Sequence, residues 1–366
     1  MAGGTVSPVR GVLALELTQR IRSTRWRVLL GVWFVVLVAS VVLQYVFFRS
    51  VGRGMGRDPG AWDQASTEAI VHGTLLFVLL VGLIIAPAQS ATSINGDSRD
   101  GVLALVQAAP VSTREVLMGK LLAAWIASLA FLVVSLPVLA WAVITGGIAW
   151  WAMLLGVLVV SLLLLAISAM GLGLSAVTVR PGSSTMLSYL VVAVLVIGLP
   201  VVFLLAAPML EQREVRPVAQ LIRYDVDHAH TDPDIWCEVH TTEWSSSDSR
   251  VLSWLFLPNP VVILADALPH AAESVGPMPV IRNLVDSTFR APQEPPATCE
   301  ELAARMSDPD YGANMWAAPT GDSGSTGWKW LPGLGINLLL GGLGIAAAHR
   351  RLKVPAGELP RGVRIA

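Results

Sequence analysis

The sequence predicts an all-α membrane protein with six transmembrane helices, and three observations predict it. The 366-residue chain is 54% hydrophobic and 14% charged, whereas soluble domains carry about 25% charged residues. Its apolar residues gather into runs close to the roughly 20 residues that cross a hydrocarbon core of about 30 Å. Its charges are sorted by region. Residues 208–327 hold 18 acids and seven arginines, a balance of −11; the remainder holds eight acids and 18 bases, a balance of +10, and the two sum to −1. Arginine outnumbers lysine 22 to 3, the codon-level mark of a high-GC bacterial genome, so the expected location is the bacterial plasma membrane.

Residues 1–27 form the N-terminal segment. Val12–Arg27 places Leu13, Leu17 and Ile21 at helical spacing, with Arg20, Arg22, Arg25 and Arg27 on the polar side. This reads either as an N-terminal interfacial helix, apolar side down and arginines toward headgroups, or as a positive flank that orients the next span. Both readings put the N-terminus in the cytoplasm. A cleavable signal peptide is not expected, because 27 residues precede the run that begins at Val28 and that run exceeds a signal core.

Residues 28–207 carry spans one to five: Val28–Phe48, Ile70–Thr92, Leu121–Ile144, Met153–Val177 and Met186–Ala207. Arg49–Ala69 reads as a polar loop of balanced charge, with three arginines against Asp58, Asp63 and Glu68. Thr145–Ala152 is a hairpin whose Trp150 and Trp151 suit the aromatic belt, and Arg180-Pro181-Gly182 is a short turn with one positive charge. The sixth span is Trp330–His349, followed by the tail 350–366. His349-Arg350-Arg351-Leu352-Lys353, with Arg361 and Arg364, makes that tail cytoplasmic by the positive-inside rule. Both termini are then cytoplasmic, and the acidic segment 208–329 is a large extracytoplasmic insert between spans five and six.

Within the insert, residues 251–268 are apolar enough to imitate a seventh span, but Pro258 and Pro260 interrupt them and Asp266 would have to be buried. They read as an interfacial or re-entrant pair of short helices, which need protein packed around them. Cys237 and Cys299 flank this stretch. On an exterior face they either join in a disulfide across the insert or remain two buried thiols. His228, His230 and His240, among several carboxylates, are candidates for a metal site; an acidic solvated loop is the alternative, and we expect no metal.

The polar interval 94–120 separates spans two and three. Gly101–Gln107 is a candidate short helix, with Asp97 and Asp100 ahead of it where carboxylates favour a helix start. Pro110 breaks the chain, and Ser112-Thr113-Arg114-Glu115 is a capping box opening the helix of span three. The interval is either a short helix laid across the membrane face or a plain cytoplasmic loop. No GxxxxGK[ST] phosphate loop occurs, so ATP chemistry of that kind belongs to another chain. Gly321-Asp322-Ser323-Gly324 has the look of a nucleophile's setting, yet it lies in a Gly/Ser/Thr-rich linker with no partner residues. The span interiors hold almost no charge, with His72 near the outer end of the second, which disfavours ion relays. Gly171, Gly173 and Ser175 offer close-packing positions in the fourth.

Residues 97–120 resemble the hallmark cytoplasmic loop of the type-two ABC exporter permeases. Asp97 and Asp100 match its acidic lead-in, Gly101 and Leu103 its middle, and Pro110, Val111, Ser112, Arg114, Gly119 and Lys120 its exit. Val102 and Ala104 depart from the family's threonine and glutamate, which weakens an acidic contact at that point. The resemblance implies a non-enzymatic transmembrane permease subunit of an ATP-driven exporter. Such a subunit pairs with a second permease, identical or not, and with ABC ATPase subunits that carry ATP and Mg while this chain binds no cofactor. In that setting Asp97, Asp100, Gly101, Leu103, Leu105, Val106, Pro110, Ser112, Arg114 and Glu115 contact the ATPase. Membrane lipid is the other expected partner, and nucleic acid is not one. A membrane-anchored binding or assembly protein acting through its exterior domain is the rival, with an ion-coupled secondary transporter behind it. No residue selects the substrate.

Overall fold

The computed structural model describes residues 8–55, 59–99, 112–144, 149–223, 235–269, 276–290, 294–306 and 327–352. Among these the order is α1 (Pro8–Arg22), α2 (Thr24–Met55), α3 (Pro59–Ser90), α4 (Asn95–Arg99), α5 (Thr113–Ile144) and α6 (Trp150–Val177). Then come α7 (Pro181–Ala193), a π-helical turn (Val194–Gly198), α8 (Leu199–Ala206), β1 (Glu211–Arg223) and β2 (Ile235–Ser247). The chain continues through α9 (Pro260–Ala267), α10 (Pro277–Phe289) and α11 (Cys299–Met306) to α12 (Trp330–Leu352). Six stretches are long and apolar enough to cross a membrane: Thr24–Gly54, Ala65–Asp97, Thr113–Trp141, Trp150–Val177, Pro181–Leu210 and Trp330–Leu352. They correspond to the six expected spans.

The helices outrun their apolar cores, because backbone hydrogen bonding continues where side chains turn polar. Most of the expected loop 49–69 is therefore helix, the end of α2 and the start of α3, and the Trp62 indole donates to the Phe48 carbonyl at 2.9 Å across the turn. Trp150 and Trp151 likewise belong to the first turn of α6, not to a hairpin.

Spans two and four form the centre. Leu75 and Leu79 of α3 pack with Leu163, Leu164 and Ile167 of α6, all at most 2% exposed. Spans one and five lie outside: 6% of span five's most apolar window is buried, against 61% for span two. The final helix α12 lies along α6 through glycines. A Cβ on Gly173 would stand 2.5 Å from the Gly344 Cα, so the two backbones touch and no side chain fits between them. Because the spans alternate in direction, α1, the end of α3 and the last turns of α12 share one end of the bundle. The insert occupies the other.

The described residues are mostly helical, as the all-α class expects, and the insert adds one small β-ribbon. β1 and β2 form an antiparallel ribbon in register from Glu211↔Ser247 to Arg223↔Ile235. Pro217 sits inside β1 without breaking the ladder. Ala219, two residues on and so facing the same side, donates its N–H outward to the Pro296 carbonyl at 2.8 Å; the missing N–H of Pro217 therefore lies on the outer edge. Cys237 and Cys299 are joined in a disulfide, Cα–Cα 5.8 Å, which staples β2 to α11 across a sequence separation of 62. Ion pairs from Arg216 to Glu214 and Glu294 hold the same edge and keep its guanidinium above the usual arginine value.

Residues 251–268 form short 3-10 turns at Ser249–Val251 and Ser253–Phe256, then α9, broken at Pro258-Asn259-Pro260 as the prolines require. Val262 to Leu268 are all buried, so the stretch is packed against protein as expected. Asn259 does two things there. Its Oδ1 caps α9 by accepting from Val261 N–H at 2.9 Å, and its Nδ2 donates 3.1 Å to the Val196 carbonyl in the π turn. Pro200, four residues after Val196, has no N–H to offer that carbonyl. One asparagine thus repairs the gap a proline opens in span five and ties that span to the insert.

Candidate functional site

At the bundle end where α1 lies, the sequence brings three elements onto one lysine. Val9, Val12, Glu16 and Arg20 recur at helical spacing, so α1 presents them on one face. Gly119 lets that face approach α5, since a Cβ there would sit 2.8 Å from the Val12 Cβ. Lys120, next in sequence and 4% exposed, then reaches Glu16 at 2.8 Å and Asp97 of α4 at 2.5 Å. Arg20 adds a fourth charge, 4.0 Å from Glu16 and donating to the Gln89 side chain at the end of α3. Burial lowers the Arg20 guanidinium from the usual value while Glu16 raises it. Two cations and two carboxylates thus balance at the junction of α1, α3, α4 and α5.

Ser112 and Glu115 form the expected capping box. The Ser112 N–H donates to Glu115 Oε2 at 2.7 Å, and Glu115 N–H approaches Ser112 Oγ at 3.4 Å. Arg114 is exposed beside it. On the other flank, the chain leaving α3 is held to α6. Ser175 Oγ accepts from the Ile94 and Asn95 N–H groups at 3.0 and 3.3 Å and donates to Asn95 Oδ1 at 3.2 Å. Asn95 Nδ2 donates to Thr178 Oγ1 at 3.3 Å, and Ser184 Oγ to the Ala91 carbonyl at 2.6 Å. Both flanks of the segment 100–111 are therefore anchored, and the Asp97–Lys120 pair clasps them together. Asp100, Gly101, Leu103, Leu105, Val106 and Pro110 lie outside the described residues, as do His228 and His230 in the insert. His240 is exposed on β2, 3.5 Å from Glu238, and no group of three metal-ligating residues occurs among the described residues.

The far end holds a second charged cluster that sequence reasoning missed. Asp266 of α9, 2% exposed, takes Lys329 at 3.2 Å and the Trp330 N–H at 2.9 Å, and Lys329 pairs with Asp286 at 2.6 Å. Arg282 lies 4.0 Å from Asp266 and 3.8 Å from Asp286. Asp266 had a signal, a carboxylate inside an apolar run. The partners of Glu16 and Asp97 had a weaker one: Lys120 is among only three lysines and stands at the threshold of an apolar span. Asn95 had none, and Ser175 was visible only as a close-packing position.

Six apolar helices with almost uncharged interiors make this a multi-pass membrane protein. Residues 11–244, more than half the chain, match the family model described as ABC-2 family transporter protein, and the chain belongs to that family. It is thus a transmembrane subunit of an ABC transporter, the part that works with an ABC ATPase subunit. The match ends within β2, before the last span. No curated protein matches the chain.

Proposed function

We propose that this chain is the permease of an exporter driven by ATP hydrolysis on a separate ATPase, and that the force enters through residues 94–120 on the cytoplasmic side. The observation that carries this reading is the clasp at Lys120. A segment that receives a push from a partner must pass it to the spans, and its flanks here are tied to α1, α3, α5 and α6 by named contacts. A plain loop needs no buried lysine shared by two carboxylates. In this reading Leu103, Leu105 and Val106 supply the apolar contact with the ATPase, while Asp97, Asp100, Arg114 and Glu115 supply its polar rim. Nucleotide-driven closure biases a two-state arrangement of the spans. The basic tail and the acidic insert support an orientation with both termini inside and the ribbon outside.

The rival, an exterior domain for which the spans are only an anchor, predicts a lightly attached insert. The Asp266 cluster and the Asn259 bridge instead build the insert into spans five and six, which favours the permease. Leu105→Asp tests the reading. The variant should insert normally yet lose co-purification with the ATPase and the coupled ATP hydrolysis; unchanged co-purification and hydrolysis would refute the docking role.

A further inference from the structure

The elbow between α1 and α2 carries two arginines, Arg22 and Arg25, with no acidic partner among the described residues. Ser23 breaks the two helices apart, and a notch of about 320 Å³ opens there, lined by Gln19, Arg20, Ser23, Arg25, Trp26 and Leu29. A second notch of about 390 Å³ adjoins it through Gln19 and reaches Leu15 and Arg22.

Three features give this groove a preference. Arg22 and Arg25 are exposed and have no carboxylate partner among the described residues, because Glu16, the nearby acid on α1, is held by Lys120 and Arg20. The groove also faces the start of a 32-residue helix, where the dipole is positive, although the Trp26 and Arg27 N–H groups already donate to the Ser23 carbonyl at 3.1 and 3.3 Å. Among the residues that line the two notches, Leu15 is 60% exposed and Leu29 46%. Positive charge and apolar surface within about four helical turns fit a molecule with an anionic head and a greasy tail. Free phosphate would leave the apolar part uncovered. An acidic protein surface would leave the exposed Leu15 and Leu29 unexplained.

We infer that the α1–α2 elbow is a binding site for an anionic phospholipid, its phosphate held by Arg22, Arg25 and the start of α2, its acyl chain lying along Trp26 and Leu29. Arg20 is a support and not a ligand, since Gln89 and Glu16 already engage it. The site rests on reading the apolar helices as membrane spans; it does not need the ATPase coupling to be right.

Native mass spectrometry of the purified full-length protein tests it, with phosphatidylglycerol as probe, phosphatidylcholine as neutral control and inorganic phosphate as headgroup control. An arginine near an anionic surface contributes about fivefold in affinity, so Arg22→Gln with Arg25→Gln should weaken phosphatidylglycerol retention roughly thirtyfold. Arg180→Gln, an exposed arginine at the same bundle end, should leave it unchanged. Melting in phosphatidylcholine should match the unaltered protein, showing that the variant is folded. Equal phosphatidylglycerol retention by the double variant overturns the site. So does displacement of the lipid by millimolar phosphate. If the double variant keeps its lipid and instead loses the ATPase, the groove is a protein surface and the inference is wrong.

Discussion

The two ends of the bundle each gather two cations and two carboxylates, but they keep them in different company. At the insert end the side chains of Asp266, Lys329 and Arg282 are 2, 7 and 6% exposed, with Asp286 at 16%. At the α1 end Lys120 is equally hidden, while Glu16 and Asp97 retain 20 and 30% of their surface. Water near a carboxylate weakens its pairing and cheapens its release; a dry pair is costly to separate. The difference teaches which junction can move. The insert is joined to the last span through a dry cluster, and the clasp beside residues 94–120 is the wetter, more easily separated junction.

Breaking the dry cluster should have the largest effect. Lys329→Met strands Asp266 and Asp286 and should cost about 3–5 kcal/mol, seen as a loss of folded, membrane-inserted protein. Replacing Lys329 and Asp266 together by methionine and leucine should recover much of it. Next, Cys237→Ser opens the 62-residue loop at about 2–5 kcal/mol for the insert alone. Proteolysis should then cut the ribbon while the spans stay intact.

Breaking the wet cluster should cost less stability and more function. Lys120→Met removes charged hydrogen bonds worth about 1.5–3 kcal/mol but leaves Glu16 and Asp97 reachable by water. The variant should insert and bind the ATPase, with its stimulation of ATP hydrolysis reduced. Loss of insertion in Lys120→Met equal to that in Lys329→Met would erase the contrast between the two ends. Smallest is Ser112→Ala, which removes the cap of α5 at about 1 kcal/mol and should lower the melting temperature slightly.

Much of this was legible before any coordinates. Long apolar runs betray spans because the bilayer dictates their length, and Ser112 with Glu115 betrays a cap because both partners lie within one turn. The disulfide needed only the two cysteines of the chain, both in the one insert. The ribbon was hidden. Its strands carry charges on both faces and a proline, so neither alternation nor propensity marks them, and its pairing is stated only by cross-strand partners. The Lys120 clasp was hidden for another reason: Glu16 lies 104 positions away, and no local pattern encodes a contact made by folding the chain's start across its third span. Asn259 gave no local sign that it is the donor that completes span five from 63 positions away. The π turn it serves arises from Pro200 and from the tertiary neighbour together.

The central claim is that the clasped segment faces the partner inside the cell. Arg114→Cys, treated in intact cells with a membrane-impermeant maleimide, tests it directly, because Cys237 and Cys299 are already consumed by their disulfide. Label should reach residue 114 only after permeabilisation, while Val215→Cys on the exposed ribbon is labelled at once. Labelling of residue 114 from outside intact cells would contradict the account.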